Sequence, residues 1–157
     1  MTTLVRWYEG TPVGSAIVNS SWLFPVAEAI HLLALTVLLG IIVIVSLRLF
    51  GCVLVDQSIS EVASEFDRYT WISLGAMITT GLLLFLSAAL KYYSSSNFRI
   101  KMALLAAAII FQVSVFRKIT RSQTADKKPS LAKLAGIISL ALWLGVAIAG
   151  KAIGYFG

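Results

Sequence analysis

His31, the one histidine of the chain, lies inside a long apolar stretch that runs from Trp22 to Leu49. Glu28 precedes it by three residues, which on a helix places the two side chains on one face, about one turn apart. A charged side chain near the centre of a membrane helix costs about 2.5–3.5 kcal/mol, so such groups normally face a bundle interior and find partners there. We therefore expect Glu28 and His31 to face the interior. The alternative is a polar pair that only orients helices.

Three cations are predicted at the same end of the molecule, close to the ends of later apolar stretches: Arg99, Lys101 and Lys151. We expect Arg99 to extend its charge to the interface, as long cationic side chains do. Lys101 and Lys151 lie deeper and favour a carboxylate or an anionic ligand as partner. Together with His31 and Glu28, these cations predict a polar cluster in the outer third of a helical bundle.

This combination suits a haem site. Neutral imidazole is an axial ligand of haem iron, apolar helices suit the macrocycle, and cations near the interface suit its propionates. We therefore predict a b-haem or porphyrin site used in electron transfer or haem handling, with His31 as the metal ligand. Its other cofactor-binding candidates are Glu28, Arg99, Lys101 and Lys151. An electron-transfer role implies a redox partner or a quinone.

Two other functions stay open on the sequence. A copper or zinc site needs several nitrogen or sulfur ligands at close range, and a metal-handling protein would rely on His31 and Glu28. A structural or accessory subunit would bind no cofactor and use the polar cluster to hold helices together. The sequence argues against a hydrolase, because no second histidine is available as a base. Whether the protein is an enzyme is left undecided.

The elements that position these residues follow from hydropathy. Hydrophobic residues make up 59% of the 157 residues and charged residues only 13%, against about 25% charged in soluble domains. Four apolar stretches, about 22–49, 71–90, 98–116 and 131–156, are each long enough to cross a bilayer as a helix. The sequence predicts a single domain, 1–157, that is an all-α four-helix transmembrane bundle. Its net charge of +6 is a membrane-orientation signal and does not indicate nucleic acid.

The distribution of cations predicts the orientation. The first and third loops carry the larger share of the Lys and Arg residues, and the positive-inside rule places that side in the cytoplasm. Both termini are then outside the cytoplasm, in a bacterial inner membrane. The cytoplasmic set is Arg48, Arg68, Arg117, Lys118, Arg121, Lys127, Lys128 and Lys133, and the outer set is Arg6, Lys91, Arg99, Lys101 and Lys151.

Small residues in the spans predict helix contacts. Gly75 to Gly81 is rich in small residues, and Gly150 and Gly154 form a GxxxG pattern. Such residues let two membrane helices approach closely. Packing within the bundle is the favoured interpretation, and the alternative is the interface of a homo-oligomer.

Several strings resemble a family of uncharacterised bacterial four-span membrane proteins. They include Ser20-Ser-Trp-Leu-Phe-Pro25, Glu28-x-x-His31, Leu47-Arg-Leu-Phe-Gly51, Thr80-Gly-Leu-Leu-Leu-Phe85 and Phe98-Arg-Ile-Lys101. The resemblance covers nearly the whole chain. It departs at Ser46, where the family usually has an acidic residue, and at Lys151, where it usually has arginine.

A more distant resemblance concerns function. The order of a histidine early in span one, Leu47-Arg-Leu-Phe50, Gly75-Ala-Met-x-x-Thr-x-Gly81 and a lysine opening span three is similar to the bacterial four-helix membrane protoporphyrinogen oxidase. That resemblance implies functional roles for His31, Arg48 and Lys101. The His31-Leu-Leu-Ala string is also similar to the membrane domain of copper-resistance proteins. The oxidase's other histidines and acidic motifs are absent from this sequence.

Overall fold

A computed structural model of the chain describes residues 22–87, 96–121 and 128–156, and this part is helical except around the turn at 51–58. Helix α1 spans Leu23–Phe50, α2 spans Ile59–Ser87, α3 spans Ser96–Phe111, α4 spans Arg117–Arg121 and α5 spans Pro129–Phe156. The described residues contain four helices long and apolar enough to cross a membrane: Leu23–Phe50, Ile59–Leu86, Asn97–Arg121 and Pro129–Ala152. The predicted all-α four-helix bundle is confirmed.

The helices extend further into polar sequence than hydropathy suggested. Helix α2 begins at Ile59, so the polar segment before Trp71 is the first part of the same helix. Helix α4 continues the third span to Arg121, beyond its predicted end near Phe116. The end of the second span, the turn before Ser96 and the basic loop 122–127 fall largely outside the described residues.

The turn between α1 and α2 is fixed by local hydrogen bonds. Gly51 has a left-handed φ of 78°, and its N–H donates to the carbonyl of Arg48 while the N–H of Cys52 donates to that of Leu47. This is the Schellman end of a helix, in which glycine avoids the strain of a left-handed residue. Ser58 and Glu61 then cap the start of α2 reciprocally, with each backbone N–H donating to the other's side chain.

The third span contains one π-helical segment, Gln112–Phe116, which joins α3 to α4. A π turn inserts one extra residue into a helix and changes which side chains face a neighbouring helix, and such turns are frequent at functional sites. Here the segment places Phe116 in the core and turns Arg117 toward α2.

The core forms two apolar layers. One lies where α1 ends and α2 begins, and its largest members are Phe116, Ile41 and Leu49. The other is centred on Trp143, which is 1% exposed and packs with Leu38 and Met77. Helix α1 packs against α2 and α5, and α5 also packs against α3. Neighbouring helices run antiparallel.

This topology gives the bundle two ends. We call the end where α1 and α3 begin the His31 end, and the opposite end the Asp67 end. Contacts to α5 align the depths of α1 and α3: the carbonyl of Gly136 accepts from Ser46, and the side chain of Gln112 accepts from Ser139. Side chains that could bind a ligand or an ion occur at both ends of the bundle.

Candidate functional site

The imidazole of His31 is held by a hydroxyl of the neighbouring helix. Its Nδ1 lies 3.1 Å from Oγ1 of Thr80 on α2. Thr80 has one hydroxyl proton, and its shortest contact, 2.6 Å, is to the carbonyl of Ala76. Assigning the proton to that bond makes the Thr80 oxygen an acceptor, so Nδ1–H of His31 donates to it. In that tautomer the neutral ring carries its free electron pair on Nε2, and the backbone carbonyl of Met77 on α2 is a second acceptor for the ring.

Gly81 gives the ring its space. A Cβ on residue 81 would stand 3.1 Å from Cε1 of His31 and 3.5 Å from its Nδ1. The imidazole therefore packs against bare helix backbone, and any larger residue would displace it. His31 itself is half-buried, at the boundary between the core and the exterior of the bundle.

The side chain of Lys101, on α3, packs against α5 at the same end of the bundle. A Cβ on Gly150 would stand 3.5 Å from both Cε and Nζ of Lys101. Gly150 thus accommodates the lysine chain within the bundle, which agrees with the interpretation of this glycine as an intramolecular packing residue. The ammonium lies within electrostatic range of His31, and no described carboxylate forms an ion pair with it.

The other three predicted site residues are placed differently. Glu28 lies on the exposed surface of α1, so the expectation that it faces the interior is wrong. It is within electrostatic range of His31 but forms no hydrogen bond with it among the described residues. Arg99 and Lys151 are exposed at the same end of the bundle. The structure therefore half-buries His31 and Lys101 at the same end and leaves Glu28, Arg99 and Lys151 at the surface.

A second polar group lies deeper between the helices. The indole Nε1 of Trp143 is buried and has no hydrogen-bond partner among the described residues. Trp143 is seven residues from Gly150 on α5, or about 10 Å further into the bundle at 1.5 Å per residue. An unsatisfied buried donor costs about 1–3 kcal/mol, so an acceptor reaching this depth would be stabilised.

The donor set at the His31 end limits which metal centres fit. Within the described residues, no group of three or more His, Cys, Asp or Glu side chains is close enough to hold a metal ion. A copper or zinc ion bound only by protein needs such a group. Haem iron needs only one or two axial ligands, because the porphyrin supplies four nitrogens. One oriented imidazole with a nearby cation fits the second kind of site.

The Asp67 end carries a cluster that the sequence analysis did not identify. One oxygen of Asp67, Oδ2, lies 3.4 Å from Nη2 of Arg117 and 2.6 Å from Nη2 of Arg121. The guanidinium of Arg117 also lies over the ring of Trp71, 5.4 Å from its centroid. A cavity of about 30 Å³ adjoins the cluster and is also lined by Gln112. That volume has room for one or two water molecules.

The signal for this cluster was present in the sequence. Arg117 and Arg121 are four residues apart, so a helix places them on one face. Hydropathy predicts an end of the third span near Phe116, which leaves both arginines on a cytoplasmic surface and gives them no predicted partner. The continuation of the helix to Arg121 brings both to Asp67.

Comparison with known proteins identifies a family but no function. A model of a family of unknown function, DUF6644, matches residues 13–156. No curated protein matches the chain, and no solved structure does. The resemblances to the protoporphyrinogen oxidase and to copper-resistance domains therefore stay predictions.

Proposed function

Because the chain belongs to DUF6644, a family of unknown function, we propose its function from its own geometry. It is a multi-pass membrane protein that holds b-haem or a related porphyrin at the His31 end. The proposal applies to the whole four-helix bundle, since the candidate site draws side chains from α1, α2 and α3 and a glycine from α5.

The orientation of His31 is the observation that carries this proposal. Its Nδ1 is engaged by Thr80, which fixes the ring, and in that tautomer Nε2 carries the electron pair that would ligate a metal. Second partners of this kind are the usual means by which proteins orient a ligating histidine and raise its basicity.

The cation at the same end of the bundle supports the same group. Lys101 is the interior candidate for a propionate contact, and Arg99 and Lys151 are surface candidates at the same end. The buried N–H of Trp143 is the one described donor in the core that lacks a partner. When bound, haem supplies a one-electron redox centre, which suits transfer to a quinone or a redox protein, or transient haem handling.

We place the protein in a bacterial inner membrane with both termini outside the cytoplasm. Among the described residues, the Asp67 end carries more cations than the His31 end, with Arg117, Lys118 and Arg121 close together on α4. That asymmetry favours a cytoplasmic Asp67 end. A reporter active only in the cytoplasm should then be silent when fused at Gly157 and active after Thr124.

An absorption spectrum tests the cofactor. Protein purified in mild detergent from a haem-replete bacterial membrane should show a Soret band, or gain one on haem titration. His31→Ala should lose the band while helix content and elution volume are retained. Wild-type protein that stays colourless after haem titration would reject the proposal, and the structural-subunit alternative would replace it.

A matched pair of threonine variants separates ligand orientation from general damage. Thr80→Val removes the acceptor of His31 Nδ1, whereas Thr79→Val removes a hydroxyl that is exposed and bonds only to the carbonyl of Gly75. We expect Thr80→Val to weaken haem affinity by about 10-fold, as outer partners of metal ligands do. Thr79→Val should bind like wild type. Equal effects of the two variants would contradict a specific role for Thr80.

A further inference from the structure

The exposed face of α1 carries features that lipid alone does not satisfy. Glu28, Leu32, Thr36 and Gly40 follow one another at four-residue spacing and are all exposed. Glu28 is five residues into the span and has no ion pair among the described residues. Carboxylates inside a membrane span normally have a partner. Gly40 leaves open space on this face of α1, because a Cβ there would meet nothing within 4 Å.

A complementary face lies on α3. Arg99, Ala103 and Ala107 also follow at four-residue spacing and are exposed. The third span is the least covered of the four: 6% of its most apolar window is buried, against 22–33% for the others. One face thus presents a carboxylate followed by small residues, and the other presents a guanidinium followed by small residues.

The two faces match in depth. Helices α1 and α3 both begin at the His31 end, and contacts on α5 relate their levels. These contacts place Thr36 near the level of Ala103, and Gly40 near that of Ala107, within about one turn. Glu28 lies about one turn above Arg99, and an arginine side chain spans that distance. Rotation about the membrane normal preserves depth, so these levels also match between two copies of the chain.

We propose that α1 of one copy packs in parallel against α3 of a neighbouring copy. Glu28 faces Arg99 of the neighbour, and Thr36 and Gly40 meet Ala103 and Ala107, where small residues on both sides allow close approach. Two different faces meet, so the contact is head-to-tail, and it forms a ring where the rotation between copies closes. A symmetric α1–α1 contact is disfavoured, because it would bring two Glu28 carboxylates together. Arg99 is also a surface candidate for a propionate, so the two proposals are tested by different measurements, cross-linking here and the Soret band above.

Cysteine cross-linking tests the contact directly. In a Cys52→Ser background, Thr36→Cys and Ala103→Cys are made as separate variants with different affinity tags and then co-expressed. Under mild oxidation, neither variant should form dimers alone, and the two together should form a mixed disulfide dimer. The double variant should form a ladder of higher oligomers. As a matched control, Ile148→Cys, on an exposed part of α5, should not cross-link to Ala103→Cys.

The outcomes separate the alternatives. Dimers of Thr36→Cys alone would replace the proposed contact with a two-fold α1–α1 contact. Absence of cross-links in all combinations, with a monomer mass in detergent and in lipid nanodiscs, would overturn the proposal. Glu28→Gln should lower the yield of the mixed dimer several-fold. Glu65→Gln, an exposed carboxylate at the Asp67 end, should leave the yield unchanged. Equal yields with Glu28→Gln would remove the charge pair from the proposed contact.

Discussion

The imidazole of His31 packs directly over Gly81, so that a Cβ at residue 81 would stand 3.1 Å from Cε1 of the ring. The adjacent residue, Thr80, supplies the oxygen that accepts from Nδ1. Two consecutive residues of α2 thus determine the position of the ring, one by its hydroxyl and one by having no side chain. The position of the ring therefore requires threonine followed by glycine at residues 80 and 81 of α2.

Replacing Gly81 by alanine should displace the ring. A Cβ at 3.1 Å is closer than ordinary van der Waals contact, so His31 or α1 must shift by a few tenths of an ångström. We expect Gly81→Ala to weaken haem affinity, because the ligand position changes, and to lower the unfolding temperature in detergent. Gly75→Ala is the control, since a Cβ at Gly75 meets nothing within 4 Å. Equal behaviour of the two variants would show that the ring tolerates displacement.

The overall architecture was predictable because composition and hydropathy respond to the solvent, which here is lipid. Four apolar stretches predict four helices whatever their contacts. Helix α2 begins at Ile59, ahead of the apolar stretch, because polar residues outside the membrane can continue a helix without raising hydropathy. The π-helical segment Gln112–Phe116 has no hydropathy signal, and neither does its effect on the direction of Arg117.

The site was predictable in part. His31 was identified by the cost of placing an imidazole in an apolar span, and Lys101 by its depth. The placement of Glu28 could not be deduced, because residues three apart on a helix differ by roughly 60° in direction. That angle separates a half-buried His31 from an exposed Glu28. Thr80 and Gly81 required knowledge of which helix packs on α1, which periodicity alone does not give.

Lys101 should matter for the ligand more than for the fold. Its ammonium has no ion-pair partner among the described residues, so removing the charge removes a desolvation cost. We expect Lys101→Met to leave the free energy of unfolding unchanged or to raise it by about 1 kcal/mol. Haem affinity should fall about 5–10-fold, the loss of one charge-assisted contact near the interface. Lys133→Met, an exposed control at the Asp67 end, should change neither quantity. A clear drop in unfolding temperature for Lys101→Met alone would indicate a structural role.

Asp67 should stabilise the opposite end. Its carboxylate pairs with Arg117 and Arg121, so Asp67→Asn leaves two guanidinium groups side by side without a counter-charge. The arginine side chains are 36% and 44% exposed, which allows solvent to screen both pairs. We expect a loss of about 1 kcal/mol in the free energy of unfolding. The difference from wild type should narrow in high salt. Glu65→Gln is the exposed control, and a loss of the same size in that variant would argue against a specific pair.

The structure and the resemblance give Arg48 different roles. The similarity to the protoporphyrinogen oxidase implies a functional arginine at this position, whereas in the structure Nε and Nη2 of Arg48 donate to the carbonyl of Gln57 at 2.9 and 2.6 Å. These bonds join the end of α1 to the loop before α2, at the Asp67 end and far from His31. Arg48→Ala should therefore loosen the loop, with a loss of about 1–2 kcal/mol in the free energy of unfolding.

The haem spectrum decides whether Arg48 has a second role. If Arg48 only fastens the loop, folded Arg48→Ala protein should keep the Soret band and haem affinity of wild type. Protease sensitivity should increase between residues 51 and 58, because the carbonyl of Gln57 has lost its donors. Arg68→Ala, which removes an exposed arginine at the same end, should change neither measurement. A lost or shifted Soret band in folded Arg48→Ala would instead place a haem contact at the Asp67 end, and the site would have to extend across the bundle.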